Sequence, residues 1–222
     1  MGKLIKLCIC IAPMPLKRWL MQMCYGYKIH PTARIGLSWI FPAYLEMEAH
    51  SKIGHFNTAV HLDKIHLGEY VSIGRGNWIT GFSSKGSSKH FQHQPSRRSN
   101  LEIGAHSAIT KNHHIDCTSP IHIGKFATIA GYQSQLLTHS INVYDNRQDS
   151  HPIYIGDYAF TGTNVVVLGG ASLPANSVLG AKSLLNKSYK DEWMLYGGNP
   201  AKPITPIRKD AKYFSRNKGF VN

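Results

Sequence analysis

The sequence predicts an all-β fold, a parallel β-helix built from hexapeptide repeats, and three observations lead to this prediction. An aliphatic residue followed by glycine recurs along the chain. The spacings within several pairs of these glycines are multiples of six, such as 18 from Gly36 to Gly54 and 24 from Gly156 to Gly180. The aliphatic position also persists every six residues where the glycine is missing. Neither an α-helix nor a simple strand explains a lone aliphatic position with this period.

Two aliphatic ladders carry the period through the second half of the chain. If each hexad forms one short strand and one corner, three hexads form one coil, and each aliphatic residue stacks about 4.8 Å above its copy. Glycine or a small polar residue then lies where the chain bends. Stacking several coils buries a continuous column that a single coil cannot close. The ladders are Ile103, Ile109, Ile115 and Ile121, and then Ile155, Val167, Leu173, Leu179 and Leu185, the second interrupted only by Thr161.

The chain divides into three regions. Residues 1–28 are expected to form an N-terminal helical cap, residues 29–188 the β-helix, and residues 189–222 a C-terminal segment with a basic tail. Two stretches interrupt the repeat and are expected to be surface loops, a basic one at about 82–100 and a polar one at 140–151. Loops that leave a rigid scaffold often carry function, so the site is expected near them.

The cap is predicted from residues 16–23, whose sequence LKRWLMQM gives about two helical turns with an apolar face of Leu16, Trp19, Leu20 and Met23. Two interpretations of this face stay open. In the first it plugs the open end of the first coil. In the second it joins the nearby basic residues in a peripheral contact with a membrane, because the cytoplasmic leaflet attracts basic side chains.

Composition predicts a folded globular protein with an anionic partner. The 222 residues are 42% hydrophobic and only 17% charged, which argues against intrinsic disorder. Lys and Arg number 25 against 12 Asp and Glu, which gives a net charge of +13. A charge of this sign favours an anionic ligand or substrate but does not identify it. RNP, KH and helix-turn-helix patterns are absent from the sequence, so nucleic acid is not the expected partner.

Cysteine usage and hydropathy predict a cytoplasmic protein, located at the inner face of the membrane if the cap contacts lipid. The four cysteines form no CxxC pair, which favours reduced thiols. Residues 3–15 are similar to a signal peptide, but no cleavage site follows, so they are expected to be retained. No apolar run approaches the ~20 residues that span a bilayer.

The terminal part of the repeat resembles the hexapeptide-repeat acyltransferases, a family with a left-handed β-helix. The resemblance covers about residues 29–204, and it includes the galactoside, maltose, serine and colanic-acid types of O-acetyltransferase. It is carried by four blocks in order: PIYIGD at 152–157, FTGTNV at 160–165, VLGAKS at 178–183 and GGNPAK at 197–202. The order of the blocks is more specific than any one of them.

The resemblance implies a homotrimer that uses acetyl-CoA as co-substrate, with the cofactor in the groove between subunits and a histidine as general base. The implied acceptor is a hydroxyl group of a saccharide or glycolipid in polysaccharide or envelope biosynthesis, and no metal is expected. The sequence departs from the simplest members in the long basic insertion, in Lys182 where a small residue is commoner, and in the apolar and basic cap, and these departures bear on the acceptor. The matched blocks imply cofactor contacts from Gly162, Thr163, Gly180, Ala181, Lys182, Lys187, Asn199 and Lys202.

Two histidines are candidates for the base. His139 ends a coil just ahead of a polar loop that returns to a P-I-x-I-G block, as in the galactoside type, and is the first choice. His113 lies in an N-H-x-x-D motif, residues 112–116, that is similar to the xenobiotic acetyltransferase branch. The two are 26 residues apart, about one and a half coils, so both are expected to face one groove. Asp116 of the motif is expected to orient an imidazole or to be a solvated turn residue.

Two other functions are weighed against acyl transfer. The zinc-dependent γ-class carbonic anhydrases share the β-helix, and the chain has 13 histidines. Zinc needs three converging imidazoles, and the closely spaced histidine triplet of that class is missing from the sequence. The second alternative is a non-catalytic scaffold that binds an anionic ligand. The GxPAK-like ending and the intact candidate histidines favour the transferase.

Overall fold

Short strands recur throughout the computed structural model, which describes residues 2–86, 89–219 and 221, and most of these strands supply one side of a coil. Met1, Ser87, Ser88, Phe220 and Asn222, parts of the predicted cap, first insertion and C-terminal segment, lie outside the described residues. Two α-helices come first, α1 (Lys3–Ile11) and α2 (Met14–Tyr25), and a 3-10 helix, η1 (Lys212–Ser215), comes last. The strands are β1 (Lys28–Ile29), β2 (Arg34–Ile35), β3 (Trp39–Phe41), β4 (Tyr44–Met47), β5 (Lys52–Ile53), β6 (Thr58–Val60), β7 (Lys64–Leu67), β8 (Ser72–Ile73), β9 (Trp78–Thr80), β10 (Asn100–Ile103), β11 (Ala108–Ile109), β12 (His114–Asp116), β13 (Ile121–Ile123), β14 (Thr128–Ile129), β15 (Gln135–Leu137), β16 (His139–Asn142), β17 (Arg147–Ser150), β18 (Ile153–Ile155), β19 (Phe160–Thr161), β20 (Val166–Leu168), β21 (Ser172–Leu173), β22 (Val178–Leu179), β23 (Leu184–Leu185), β24 (Met194–Gly198) and β25 (Ala201–Pro206).

Successive strands join three different parallel sheets, so the chain winds as a three-sided prism. The first sheet has the order β1-β4-β7-β10-β13-β18-β21, and the second has β2-β5-β8-β11-β14-β19-β22-β24-β25. The third has β3-β6-β9-β12-β15-β20-β23. This is the parallel β-helix that the six-residue period predicts, because each hexad contributes one strand to one side.

The aliphatic ladders form the core. Every residue of the two predicted ladders is at most 2% exposed, and Thr161, which interrupts the second ladder, is buried as well. The stacked positions follow the strand register, as where Ile115 pairs with Ile79 on one side and with Leu136 on the other. One or two buried side chains, most of them aliphatic, therefore fill each side of a coil, and the repeat is the main source of hydrophobic burial.

The helical cap closes the N-terminal end of the prism, with a buried face different from the predicted one. Lys17 is buried, and its Nζ donates to the carbonyl oxygens of Ile35 at 3.2 Å and Gly36 at 2.7 Å. The Ile35 N–H donates to Met14 Sδ at 3.2 Å. These contacts satisfy backbone groups of the first coil that no earlier coil can pair, which is the usual problem of a sheet edge.

The expectation that Leu16, Trp19 and Leu20 plug the first coil is wrong for Leu16 and Trp19. These two side chains are 49% and 55% exposed, whereas Leu20 packs partly against the core. Met21, one helical turn after Lys17, is buried instead. No helix in the described part of the chain is both long and apolar enough to cross a membrane.

The two insertions and the C-terminal segment adopt different structures. The first insertion follows β9, has no regular strand or helix among its described residues, and ends where β10 begins at Asn100. The second, expected to be a loop, is an antiparallel hairpin of β16 and β17. In the C-terminal segment β24 continues the second sheet in parallel, and β25 reverses direction against it. Tyr213 of η1 then folds back, and its hydroxyl contacts Thr128 Oγ1 at 3.0 Å.

Candidate active site

A buried carboxylate and a half-exposed imidazole meet at one corner of the prism. Asp116 is the last residue of β12, and the register places it beside Leu137 at the end of β15, two residues before His139. His139 Nδ1 lies 2.7 Å from Asp116 Oδ2. Because an ionised carboxylate only accepts hydrogen bonds, Nδ1 carries the proton and Nε2 keeps its basic lone pair.

Asp116 is held by several donors besides His139. Thr118 Oγ1 donates to Asp116 Oδ1 at 2.7 Å, and Thr138 Oγ1 donates to Oδ2 at 3.0 Å. The backbone N–H groups of Thr138 and His139 also point to Oδ2, at 3.1 and 3.3 Å. Burial acts to raise the pKa of Asp116, but the hydrogen bonds from His139, Thr118 and Thr138 hold it below its ordinary value. The carboxylate is therefore a fixed negative charge at Nδ1 of His139.

The contact with Asp116 also changes the pKa of His139. The hydrogen bond to Asp116 raises the pKa of His139 above its ordinary value, while partial burial and the nearby Arg97 guanidinium oppose the rise. The ring is fixed in one tautomer and orientation, and the side chain is 41% exposed. A base held in this way can take a proton from a ligand that reaches the corner from solvent.

The first insertion packs over this corner, and hydrogen bonds to Asp63 hold both of its ends. Asp63 accepts hydrogen bonds from Ser83 Oγ at 2.7 Å and from the Ser84 and Ser99 N–H groups at 3.0 and 2.9 Å, at the two ends of the insertion. Arg97 Nη1 donates to the Thr118 carbonyl oxygen at 2.6 Å. The insertion is thus bound to the segment that carries Asp116.

Phe91 brings an apolar wall to the imidazole. Its ring is buried, lies edge-on to the His139 ring with centroids 6.1 Å apart, and stacks under the Arg97 guanidinium at 4.7 Å. An aromatic wall limits the water around the ring, and this partial burial opposes protonation of His139.

The hairpin and the insertion are also joined to each other. His93 Nε2 lies 2.6 Å from Asp149 Oδ1 on β17. Gln94 Nε2 donates to the Ser150 carbonyl oxygen at 3.0 Å, and Ser150 Oγ donates to Gln94 Oε1 at 2.8 Å. His139 therefore lies between two connected segments that leave the repeat.

The second candidate histidine has a different environment. His113 is 1% exposed, its Nδ1 accepts from the Ser134 N–H at 3.1 Å, and its Nε2 lies 2.9 Å from Thr110 Oγ1. Burial lowers the pKa of His113 to about 4. Both ring nitrogens are occupied by the protein, and Asp116 contacts His139 rather than this histidine.

The two histidines lie at opposite ends of the third sheet's strands. His113 immediately precedes β12 and is hydrogen-bonded to Ser134, which immediately precedes β15. His139 follows the other end of β15. The expectation that both face one groove does not hold within the chain, because a three-residue strand of about 10 Å separates the two corners.

Half of the predicted cofactor residues lie together at another corner, between the second and third sheets. Gly162 and Thr163 follow β19, and Ala181 and Lys182 follow β22 one coil later. A side chain at Gly162 would collide with the Ala181 backbone, 2.6 Å from the added carbon, so these coils are in close contact. The Lys182 N–H donates to the Thr163 carbonyl oxygen at 3.0 Å. The structure thus brings these four residues into one corner.

The remaining predicted cofactor residues fall into two places. Gly180 donates its N–H to the Tyr196 carbonyl oxygen at 2.8 Å, next to the turn that contains Asn199. Lys202 pairs with Gly197 across that turn. Lys187 is separate from them, because it follows β23 and stacks in register two coils after Thr138, at the corner of His139.

No group of three or more His, Cys, Asp or Glu side chains within residues 2–86, 89–219 and 221 is placed to hold a metal ion. The histidines on the first sheet pair with glutamates instead, as where His122 Nδ1 lies 3.0 Å from Glu102 Oε2.

Sequence reasoning missed several residues that shape this corner. Phe91 and Arg97 were part of an insertion whose only signal was its charge, and no motif marked Thr118 or Thr138. A partial signal was available, because the insertion lacks aliphatic residues and yet contains two phenylalanines, Phe82 and Phe91. Aromatic residues in a polar insertion indicate that it packs against something.

No protein-family model matches the chain. Among solved structures, the polysialic acid O-acetyltransferase OatWY superposes with a TM-score of 0.61 at 18% identity, over 86% of this chain and 90% of its own. A hexapeptide-repeat containing acetyltransferase from Vibrio cholerae gives a TM-score of 0.54 at 21% identity, over 92% and 88%. A mutant of AntD, an N-acyltransferase from Bacillus cereus in complex with dTDP and coenzyme A, gives 0.57 at 13% identity, over 90% and 92%.

These similarities extend over nearly the whole chain but at low identity, and at this level they establish the fold. The winding of the three sheets and the similarity to hexapeptide-repeat proteins together confirm the fold class that the six-residue period predicts. The chain is a left-handed parallel β-helix with a helical cap at one end and a C-terminal extension at the other.

Proposed function

We propose that the protein is an acyltransferase that moves an acetyl group from acetyl-CoA to a hydroxyl group of a saccharide. The single observation that carries this proposal is the contact of 2.7 Å between Asp116 and His139 Nδ1, which orients an imidazole whose side chain is 41% exposed. All three structures compared above are described as acyltransferases, and one of them was solved with coenzyme A.

In the proposed reaction His139 acts as general base. Its Nε2 takes the proton of the acceptor hydroxyl while the hydroxyl oxygen bonds to the thioester carbonyl carbon. The resulting tetrahedral intermediate expels the coenzyme A thiolate, which receives the proton back from His139. Asp116 stabilises the imidazolium that exists between the two proton transfers. The acetyl group ends on oxygen, and no covalent enzyme intermediate is needed.

We assign His139 rather than His113 to this role. The His113 ring is buried, and its two nitrogens already interact with Ser134 and Thr110. With a pKa of about 4 it is neutral at pH 7, but it lacks a nitrogen that a substrate can reach. His113 instead links two adjacent coils and has a structural role.

The coenzyme is proposed to bind at the corner of Gly162, Thr163, Ala181 and Lys182. Small residues at a corner allow a ligand to approach the backbone closely, and the exposed Lys182 supplies a cation for a phosphate group. This corner and His139 lie at opposite ends of the third sheet's strands, so the outer face of that sheet separates them. Lys187, on the corner of His139, and Lys202 are further candidates for the phosphates.

A homotrimer is proposed because apolar side chains project beside the site without cover. The hairpin tip carries Val143 and Tyr144, and Tyr144 is 97% exposed. Trp78 and Tyr132 are also about half exposed. Packing these groups against a neighbouring subunit would bury them and place a second wall next to His139.

The acceptor is proposed to be an acidic saccharide. The net charge of +13 and the basic insertion over the site, with Lys85, Lys89 and Arg98, favour a negatively charged acceptor. One of the compared structures, OatWY, is described as a polysialic acid O-acetyltransferase.

The test is acetyl-CoA turnover, read as free thiol, over polysialic acid, neutral saccharides and amino sugars. Turnover with a saccharide hydroxyl supports the proposal, and turnover with amino sugars alone would replace it by N-acylation. Calorimetry with coenzyme A tests the corner separately. Ala181→Phe should abolish coenzyme A binding, whereas the matched change Ala43→Phe, at an exposed position near the cap, should leave it intact. Absence of both binding and turnover in the wild type would overturn the proposal.

A further inference from the structure

The two cap helices each expose an apolar stripe on the side that faces away from the β-helix. In α1 the exposed stripe consists of Leu4, Leu7, Cys8 and Ile11, which follow the i, i+3, i+4, i+7 spacing of one helix face. The opposite side of α1 contains the buried Ile9 and Cys10. The stripe is therefore left over after the helix has packed on the first coil.

The second helix repeats this arrangement. Its exposed stripe consists of Leu16, Trp19 and Met23, of which Met23 is 69% exposed, while Leu20 on the same face packs partly against the core. The opposite face is held against the prism by Lys17 and Met21. We call the two stripes together the apolar cap surface. An apolar surface of this extent on one end of a protein indicates an interaction site.

The charged side chains of the cap itself have one sign. Residues 1–45 contain six Lys or Arg and no Asp or Glu, and the first acidic residue is Glu46. Glu46 is already paired with Lys64 at 3.3 Å. A cap that carries basic but no acidic residues disfavours packing against the cap of a second copy, because like charges would be brought together, and it favours an anionic partner.

A basic cleft lies along the flank of α2. It has a volume of about 790 Å³, and its basic lining residues are Arg18, Arg34, His50 and Lys52. Arg18 Nε is buried and has no hydrogen-bond partner within the described chain. The cleft therefore offers three guanidinium or ammonium groups and one unsatisfied N–H. Such donors bind the oxygen atoms of phosphate groups.

We infer that the cap docks on the surface of an anionic phospholipid bilayer, with the apolar cap surface in the interface and the basic cleft on lipid phosphates. Helices of nine and 12 residues are too short to span a bilayer and suit an interfacial position. Trp19 is a residue type enriched at membrane interfaces. This contact goes beyond the proposed acetyl transfer and does not depend on it.

The test is co-sedimentation of the full chain with vesicles of equal parts phosphatidylcholine and phosphatidylglycerol, compared with phosphatidylcholine alone. We expect binding to the anionic vesicles that weakens as salt is raised. The double variant Trp19→Ser with Met23→Ser should bind at least about tenfold more weakly. The matched control, Tyr154→Ser with Ile204→Ser, removes exposed apolar side chains elsewhere and should bind as the wild type does.

A second pair of variants separates the cleft from general charge. Arg18→Gln, Arg34→Gln and Lys52→Gln together should weaken binding roughly a hundredfold, since each basic residue near the surface contributes about fivefold. Lys190→Gln, Lys209→Gln and Lys218→Gln remove the same charge from the C-terminal segment and should have a much smaller effect. Thermal unfolding of each variant verifies that it folds.

Three results would overturn the inference. The wild type could fail to bind anionic vesicles at low salt. The stripe and control variants could bind equally, which would mean that net charge alone attracts the protein. Finally, the stripe variants could change the sedimentation of the protein without vesicles, which would mean that the apolar cap surface packs against a second copy of the chain.

Discussion

Two histidines of the same β-helix, His113 and His139, show how position in a coil decides what an imidazole does. His113 precedes a strand of the third sheet, is buried and uses both nitrogens inside the protein. His139 follows a strand of the same sheet, contacts a buried carboxylate and keeps one nitrogen free of it. Their pKa values shift in opposite directions, down to about 4 for His113 and upward for His139. The comparison teaches that a carboxylate bound to Nδ1 and a partly exposed side chain distinguish the candidate base, rather than a sequence motif.

The largest effect is expected from His139→Ala. Removing the proposed base should lower kcat by about 10²-fold to 10⁴-fold. The melting temperature should change little, because the side chain is half exposed. Free thiol release with a saccharide acceptor measures the loss. Wild-type turnover in this variant would contradict the assignment of His139 as the general base.

Asp116→Asn should have the next largest effect, a loss of kcat of roughly a hundredfold or less, since the imidazole itself remains. The pH profile gives the sharper test. Because Asp116 raises the pKa of His139, the wild type should lose kcat/KM as pH falls through that raised value. In the variant the falling limb should move to lower pH. An unmoved limb would mean that another group titrates.

For His113 the comparison predicts an effect of pH on the stability of the fold. The pKa of His113 is about 4 in the folded protein and 6.5 in the unfolded chain, so the unfolded state binds more protons between these values. The free energy of unfolding should therefore fall as pH is lowered from 6.5 to 4, by about 3 kcal/mol for this group. Urea unfolding of the wild type and His113→Asn across this range measures it. Equal acid sensitivity in both proteins would contradict the assignment.

The smallest effect is expected from Phe91→Ala, which removes the wall beside His139. Less burial of the ring should raise the pKa of His139 further, so the acid limb of kcat/KM should move slightly to higher pH. The expected loss of kcat/KM is about tenfold, because the insertion that covers the site loses a packed ring. Phe56→Ala, at an exposed corner away from the insertion, is the matched control.

The repeat was predictable from sequence because each hexad is read locally, and the ladders from Ile103 to Leu185 are buried as the period requires. The pairing of Asp116 with His139 was not predictable. It depends on strand register, and His114 pairs with Gln135, 21 residues later rather than 18. The extra residues lie at the corners, where the period gives no information. The offset between coils therefore had to come from the structure.

The cap shows a second limit of sequence patterns. The apolar spacing of Leu16, Trp19, Leu20 and Met23 was correctly identified as one helix face, but packing against the prism was assigned to the wrong side. Lys17 is buried because the first coil exposes carbonyl oxygens that need donors, and an ammonium group supplies them. The hydrophobic pattern of a helix does not show which backbone groups of another segment need a hydrogen-bond donor.

The buried Lys17 also bears on how such a protein can change in length. Lys17 and Met14 contact the backbone of β2 at one end of the second sheet, and β25 runs antiparallel to β24 at the other, so neither end of this sheet continues as a parallel ladder. Inner coils contact only their neighbours. Whole coils could therefore be inserted or deleted in the middle, away from Asp116 and His139, while both closing devices stay unchanged. A change in the number of coils therefore leaves both closed ends of the second sheet intact, and polymerisation through the ends of that sheet is opposed.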